Sequence, residues 1–150
     1  MSKSIHHTLF YPQQPELVWE YLTTPALLAQ WLMPTDFEPI LGHEFTFRTG
    51  PLPKFEFDGI VYCRVLEIHP PKKLVYSWKG GPGDGQITMD SIVTWTLTEK
   101  DKGTELNLEH SGFKILTNLD IFNGMNAGWL QNMKKIADRL NAAAHGHANV

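Results

Sequence analysis

His110 is the residue whose type and position are best suited to chemistry. It follows Leu106 and Leu108 at strand spacing, so its side chain is predicted to point into the interior near the end of a strand. An imidazole in that position can hydrogen-bond a ligand or act as a general base. The alternative is a buried histidine whose ring nitrogens are satisfied by a backbone carbonyl or by Ser111.

Carboxylates that could act together with His110 lie on or near loops predicted to border a pocket mouth; they are Asp36, Glu38 and Glu44. Their spacing does not pair them into an acid/base dyad, and solvated side chains are the simpler interpretation. Ser111 follows His110 directly, but adjacent strand residues point to opposite faces, so the two do not form a nucleophile and base pair. We therefore assign no catalytic residue, and an enzyme of cyclase or hydratase type that uses His110 remains an alternative.

Metal and cofactor chemistry has little support in the sequence. No HExxH or CxxC spacing occurs among the histidines, which are His6, His7, His43, His69, His110, His145 and His147. The glycine-rich run at residues 80–85 lacks the lysine that a phosphate-binding loop needs, so a mobile connection is predicted. Cys63 is the only cysteine, which excludes an intramolecular disulfide and favours a buried, inert thiol. No metal and no cofactor are expected.

Composition narrows the class of protein and of partner. The chain has 150 residues, of which 42% are hydrophobic, and this is typical of a single domain over residues 1–150. Lys and Arg number 13 against 16 Asp and Glu, without a basic run, so neither nucleic acid nor an anionic membrane is an expected partner. The N-terminus lacks a secretory signal pattern, and no apolar run approaches the ~20 residues that span a bilayer. A cytoplasmic location is the default expectation.

The elements that must position these residues follow from hydrophobic periodicity. Proline at the start of two short segments predicts helices from Pro15 and from Pro25, the second ending near Trp31. Alternation of apolar and polar residues predicts strands bounded by Gly and Pro. The predicted strands are residues 4–10, 44–48, 60–68, 74–78, 92–97 and 104–110.

A long amphipathic helix is predicted over residues 118–143. Its apolar side chains recur at helical spacing and are Leu119, Phe122, Met125, Trp129, Met133, Ile136 and Leu140. Gly124 and Gly128 share one face of this helix, where they permit a close approach to the sheet or a bend, or are simply tolerated. Residues 144–150 are predicted to be a flexible tail.

The order of these elements predicts an α+β domain. Alternating strands hide only one face, so the sheet needs helices as a cover. We expect a helix-grip: a curved antiparallel sheet of about six strands, with two short helices and a long C-terminal helix that encloses an apolar pocket.

An ordered set of short motifs, spread over nearly the whole chain, resembles the family of activators of heat-shock protein 90 ATPase homologues, within the START-like or SRPBCC superfamily. The motifs are PELVWEYLTTPALLAQWL (15–32), DFEP (36–39), GHEF (42–45), PPKKLVYSW (70–78), IVTWTL (92–97), GT (103–104), HSGF (110–113) and GW (128–129). The resemblance implies a helix-grip with a pocket between sheet and C-terminal helix. It implies no single chemistry, because the superfamily hosts lipid carriers, hormone receptors and cyclases.

The residues with inward parity give the pocket its predicted lining, which is unusually aromatic. Apolar, aromatic surfaces are typical of ligand sites. The predicted ligand-binding residues are Trp31, Phe45, Phe47, Trp78, Trp95, His110, Phe122, Met125, Trp129 and Met133. The alternative is that these side chains simply fill the interior.

The function that these observations favour is a non-catalytic binding or carrier domain for a small hydrophobic molecule, aromatic or lipid-like, with His110 fixing its polar end. Besides the enzyme alternative, a module that interacts with a chaperone through an exposed apolar patch is compatible with the sequence. A homodimer formed through an exposed strand is compatible with it as well.

Overall fold

The computed structural model describes residues 4–52, 57–112 and 119–148, which form a curved antiparallel sheet of six strands and three helices. In chain order the elements are β1 (Ile5–Tyr11), α1 (Pro15–Thr23), α2 (Pro25–Trp31), β2 (Glu44–Arg48), β3 (Ile60–His69), β4 (Lys73–Gly80), β5 (Met89–Lys100), β6 (Gly103–Ser111) and α3 (Leu119–Ala148). The strands lie in the order β1-β6-β5-β4-β3-β2. The predicted helix-grip is confirmed.

Thr24 both ends α1 and begins α2. Its backbone N–H donates to the carbonyl of Glu20 at 2.9 Å, while its own carbonyl accepts from the N–H of Leu28 at 2.8 Å. Pro25 occupies the first position of α2, where a missing N–H costs no helical hydrogen bond. The indole N–H of Trp31 donates to the carbonyl of Tyr21 at 2.8 Å and ties the two helices together.

The two faces of the sheet differ in polarity, as the period of two predicts. Buried side chains alternate with exposed or half-buried ones along β2, β3, β5 and β6. The predicted inward groups are buried on one face: Phe45 with Phe47, Leu74 with Tyr76 and Trp78, Val93 with Trp95 and Leu97, and Leu106 with Leu108 and His110.

The ends of several elements differ from the prediction. β5 begins at Met89 rather than at residue 92, because Met89, Asp90 and Ser91 pair in register with β4, a tertiary contact that their loop-like composition hides. α3 continues to Ala148, five residues beyond the predicted end at residue 143. Ala142, Ala143 and Ala144 favour this continuation, since alanine has the highest helix propensity. The predicted start at residue 118 lies outside the described residues.

One edge of the sheet is covered by the chain that leads into β2. The hydroxyl of Thr35 donates to the carbonyl of Thr46 at 2.7 Å, and the N–H of Thr46 donates to the Asp36 carboxylate at 2.8 Å. The N–H of Arg48 donates to the carbonyl of Pro34 at 3.0 Å. These bonds satisfy backbone groups that an edge strand would otherwise expose.

α3 is attached to β1 at the opposite edge. The Tyr11 hydroxyl donates to the carbonyl of Met133 at 2.7 Å, and His7 Nε2–H donates to the carbonyl of Asn126 at 2.9 Å. A Cβ added at Gly128 would meet no atom within 4 Å, so of the alternatives for this glycine a close approach to the sheet is not favoured. Within the described ranges, no helix has the length and apolar character needed to cross a membrane.

Candidate ligand-binding site

The interior between the sheet and α3 is built around a line of indole rings. Ring centroids lie 5.9 Å apart for Trp31 and Trp95, 5.6 Å for Trp95 and Trp129, and 5.2 Å for Trp129 and Trp78. The first two pairs meet nearly edge to face, which is a favourable arrangement of their quadrupoles. These four predicted site residues are therefore brought together.

Phe47 connects this line to a second aromatic group on β2 and β4. Its ring centroid lies 5.6 Å from that of Trp78 and 5.5 Å from that of Phe45. Phe45 in turn packs edge to face on Phe37 at 4.9 Å and on Tyr76 at 5.4 Å. Phe37 and Tyr76 were not among the predicted site residues, although Tyr76 shares its strand parity with Trp78.

His110 lies buried beside the indoles, and its hydrogen bonds define its tautomer. Trp129 Nε1–H donates to Nδ1 of His110 at 2.9 Å, so Nδ1 carries no proton. The hydroxyl of Ser91 donates to the carbonyl of Trp78 at 2.9 Å, so the 2.7 Å contact between Ser91 Oγ and His110 Nε2 is a bond that the imidazole donates. The neutral Nε2–H tautomer satisfies all three groups.

Burial lowers the pKa of His110 to about 3, because the apolar surroundings penalise the imidazolium ion. The residue that fixes Nε2 is Ser91, not the predicted Ser111 or a backbone carbonyl. Ser91 was missed by the sequence analysis, although its parity with Val93 predicts an inward position. A neutral imidazole held at both nitrogens fits a structural role better than that of a general base.

The helix side of the interior is closed unevenly. Trp129 and Met133 are buried, as predicted, while Phe122 and Met125, two turns and one turn before Trp129, are only half-buried. Both still pack against the core. The apolar side of α3 thus packs tightly from Trp129 to Leu140 and more loosely at Phe122 and Met125.

Trp78 carries a buried polar atom that remains unsatisfied. Among the described residues, no acceptor lies within hydrogen-bonding distance of its Nε1. A buried donor without a partner costs about 1–3 kcal/mol, and such groups are rare in native proteins. The indole N–H groups of Trp31, Trp95 and Trp129 all have acceptors.

Comparison with known proteins supports the resemblance seen in the sequence. Residues 12–141 match the family described as "Activator of Hsp90 ATPase homolog 1-like protein". The chain belongs to this family. A comparison with curated protein sequences found no significant match.

Solved structures similar to this family member share its fold over most of its length. A crystal structure of a Mesorhizobium loti protein is 32% identical, covers 93% of this chain and 98% of that chain, and has a TM-score of 0.80. The solution structure of the Aha1 dimer from Colwellia psychrerythraea is 20% identical, with coverage of 91% and 94% and a TM-score of 0.72. A putative protein of the dynemicin biosynthetic locus is 22% identical, with coverage of 93% and 48% and a TM-score of 0.75.

The carboxylates proposed to act with His110 lie away from it in this family member. Glu44 alternates with the buried Phe45 and belongs to the outer face of the sheet. Glu38 is exposed and lies 3.5 Å from the ring of His43. Asp36 is exposed, and the hydrogen bond from the backbone of Thr46 is the main cause that holds the pKa of its carboxyl below its usual range.

An open cleft of about 360 Å³ lies on the outer face of the sheet. Its lining comes mainly from the polar side of β2, β3 and β4 and comprises Asp36, Glu44, Phe45, Thr46, Tyr62, Cys63, Arg64, Ser77 and Lys79. Phe45 is the one predicted ligand-binding residue among them. The cleft is therefore distinct from the interior between sheet and helix, and the sequence analysis did not anticipate it.

The structure also describes the cysteine, the candidate metal ligands and the glycine-rich run considered in the sequence. Cys63 is buried on β3, and burial raises the pKa of its thiol. Within the described ranges, no three His, Cys, Asp or Glu side chains are grouped closely enough to hold a metal ion. In the glycine-rich run, Gly80 closes β4, and Gly83, Asp84 and Gly85 turn with positive φ angles.

Proposed function

We propose that this chain binds a small, largely apolar molecule between the inner face of the sheet and the first half of α3, and that it acts as a binding or carrier domain. The observation that carries the proposal is the change in burial along α3. Trp129, Met133, Ile136 and Leu140 are buried, whereas Phe122 and Met125 are half-buried on the same apolar side.

The half-buried residues lie where an apolar ligand would gain the most binding free energy by burying apolar surface. Phe122 and Met125 precede Trp129 by two turns and one turn, and Trp129 packs on Trp78. A ligand inserted at this end would bury apolar surface of its own and of these side chains, at about 25 cal/mol per Å². The flexible thioether of Met125 can adjust to the shape of the ligand.

The environment of His110 favours binding over catalysis. Its nitrogens are bonded to Trp129 and Ser91, and a histidine with a pKa of about 3 is a weak proton acceptor at neutral pH. The sheet lies between it and the outward-facing Glu44. Among the side chains that the structure describes, the enzyme alternative therefore has no acid/base pair in the interior.

The comparisons add limited support. One similar structure is described as a putative protein in the dynemicin biosynthetic locus, a setting in which a domain that binds a small molecule has a place. A chaperone partner remains a prediction, supported by the family's description and by the exposed neighbours Ile40 and Leu41. A homodimer also remains a prediction; the Colwellia psychrerythraea relative is described as a dimer.

The proposal is tested by measuring the affinity of a panel of flavonoids, sterols, fatty acids and polyketide-like aromatics by calorimetry and thermal shift. We expect at least one class to bind, and Phe122→Ser and Met125→Ser each to weaken its binding about tenfold through lost apolar contact. Leu17→Ser is the matched control, because Leu17 is exposed on α1. If no compound of the panel binds, or if the control variant loses as much affinity as the two α3 variants, the proposal is refuted.

A further inference from the structure

The ring of Trp78, whose buried N–H is unsatisfied, packs on Trp129, the α3 residue one turn after the half-buried Met125. Trp78 is two residues from Gly80, at the end of β4. A Cβ at Gly80 would lie 3.5 Å from the Met89 side chain and 3.5 Å from the Phe57 ring, and both of these side chains are only half-buried. The side chains that surround Gly80 are thus apolar and near the surface.

The orphaned donor is specific to this tryptophan. Trp31 donates to the carbonyl of Tyr21, Trp95 to the hydroxyl of Tyr76 and Trp129 to His110. Sequence and fold therefore supply acceptors for the neighbouring indoles but none, among the described residues, for Trp78.

The interior also offers no charge to an ionised ligand. Among the described residues, those that are buried and polar or charged are Ser91, Thr104 and His110, with no Lys, Arg, Asp or Glu. His110 is neutral in the tautomer set by Trp129 and Ser91. Burying a carboxylate or ammonium without a counter-ion is strongly unfavourable.

We propose that the Trp78 indole N–H is the hydrogen-bond donor for the ligand, and that the site selects neutral aromatic or polycyclic molecules carrying a carbonyl acceptor over their carboxylates. This inference rests on the proposed function, because it assumes that a ligand enters at the first half of α3. It replaces His110, which the sequence favoured, as the residue that fixes the ligand's polar end.

Three probes that share one skeleton test the inference: fluorene, fluorenone and fluorenecarboxylate. For the wild-type protein at neutral pH we expect fluorenone to bind about tenfold tighter than fluorene, because it pairs the buried donor, and the carboxylate to bind more weakly than either. Trp78→Phe should bind fluorene and fluorenone about equally. Trp19→Phe, which removes a core tryptophan of α1, should keep the preference.

Two further measurements keep the bicyclic ring shape at position 78. In isotope-labelled wild-type protein, the indole N–H resonance of Trp78 should move downfield with fluorenone and not with fluorene. Replacing Trp78 by benzothienylalanine, which keeps the ring shape and loses the donor, should abolish the preference for the ketone.

The outcomes separate this inference from the proposed function. If none of the probes and no member of the wider panel binds, the proposed function fails. If fluorene and fluorenone bind with equal affinity, if Trp78→Phe keeps the preference, or if the carboxylate binds as tightly as the ketone, the site exists and the assignment of Trp78 is wrong.

Discussion

The bonds among Trp129, His110 and Ser91 link α3 to two strands through one imidazole ring. Each bond constrains the next: the indole needs an acceptor at Nδ1, this places the proton on Nε2, and Ser91 then points its own proton to the Trp78 carbonyl. Protonation of His110 would break the first bond, since Nδ1 would become a donor facing a donor. The network is therefore stable only with neutral histidine.

The pH dependence of stability follows from this state of His110. Its pKa is about 3 in the folded chain and 6.5 in the unfolded chain, so between these values the unfolded chain binds the extra proton. His110 should therefore lower the free energy of unfolding by about 1.4 kcal/mol for each pH unit between about 6.5 and about 3. His110→Gln keeps an acceptor and a donor but cannot titrate, so it should lack this slope.

Urea denaturation of wild type and His110→Gln at several pH values checks this prediction. The difference between the two proteins isolates His110, because the other titratable groups are common to both. Parallel pH profiles would show that His110 is not held neutral by the fold.

At the scale of the elements, two glycines differ in the space around them. A Cβ at Gly128 meets no atom within 4 Å, whereas a Cβ at Gly103 would collide with the carbonyl oxygen of Tyr11 at the junction of β6 and β1. Gly128→Ala should stabilise the protein by about 1 kcal/mol through helix propensity. Gly103→Ala should destabilise it by about 2 kcal/mol or more, because backbone has to move.

Thermal melting of both variants measures these effects. Gly50→Ala is the control for Gly103→Ala, since Gly50 also lies outside a helix but its Cβ would meet open space. A stabilising Gly103→Ala, or a destabilising Gly128→Ala, would contradict the packing described for these positions.

The elements themselves were largely predictable, because their signals are local. The alternation from Phe45 to Phe47 and the proline starts of α1 and α2 depend only on neighbouring residues. The extension of β5 to Met89 was not predictable, since it depends on pairing with Gly80 of another strand.

The features of the site likewise divide into those that the sequence predicts and those that it does not. Parity alone places the predicted sheet residues on the inner face. The acceptor that each indole finds, and the absence of one for Trp78 among the described residues, depend on distances across three elements, so no local pattern reports them. The outer cleft was missed for the same reason, because its polar residues have the pattern of an ordinary solvent-exposed sheet face.

At the scale of the whole molecule, the first strand and the last helix hold each other in place. Met133 provides the carbonyl that Tyr11 binds, and Ile136 and Leu140 are buried further along α3. A chain that ends after Ala144 keeps all these groups, so its melting temperature should stay within a few degrees of that of the full chain. A chain that ends after Asn132 loses them and should not unfold cooperatively.

Circular dichroism melts of the two truncated chains test this prediction and that of a flexible tail at residues 144–150. A large loss of stability in the longer chain would mean that the tail contributes to folding. A cooperative melt of the shorter chain would mean that the attachment of α3 to β1 is dispensable.

The bonds that Pro34, Thr35 and Asp36 make with β2 also restrict the symmetry of any assembly. Growth of a sheet into a filament requires two open edges on every copy, one to accept a strand and one to offer it. Among the strands that the structure describes, the other edge is β1, so strand pairing between copies would use β1. Two copies joined in this way face each other across a two-fold axis and leave no edge for a third, so such an association closes as a dimer.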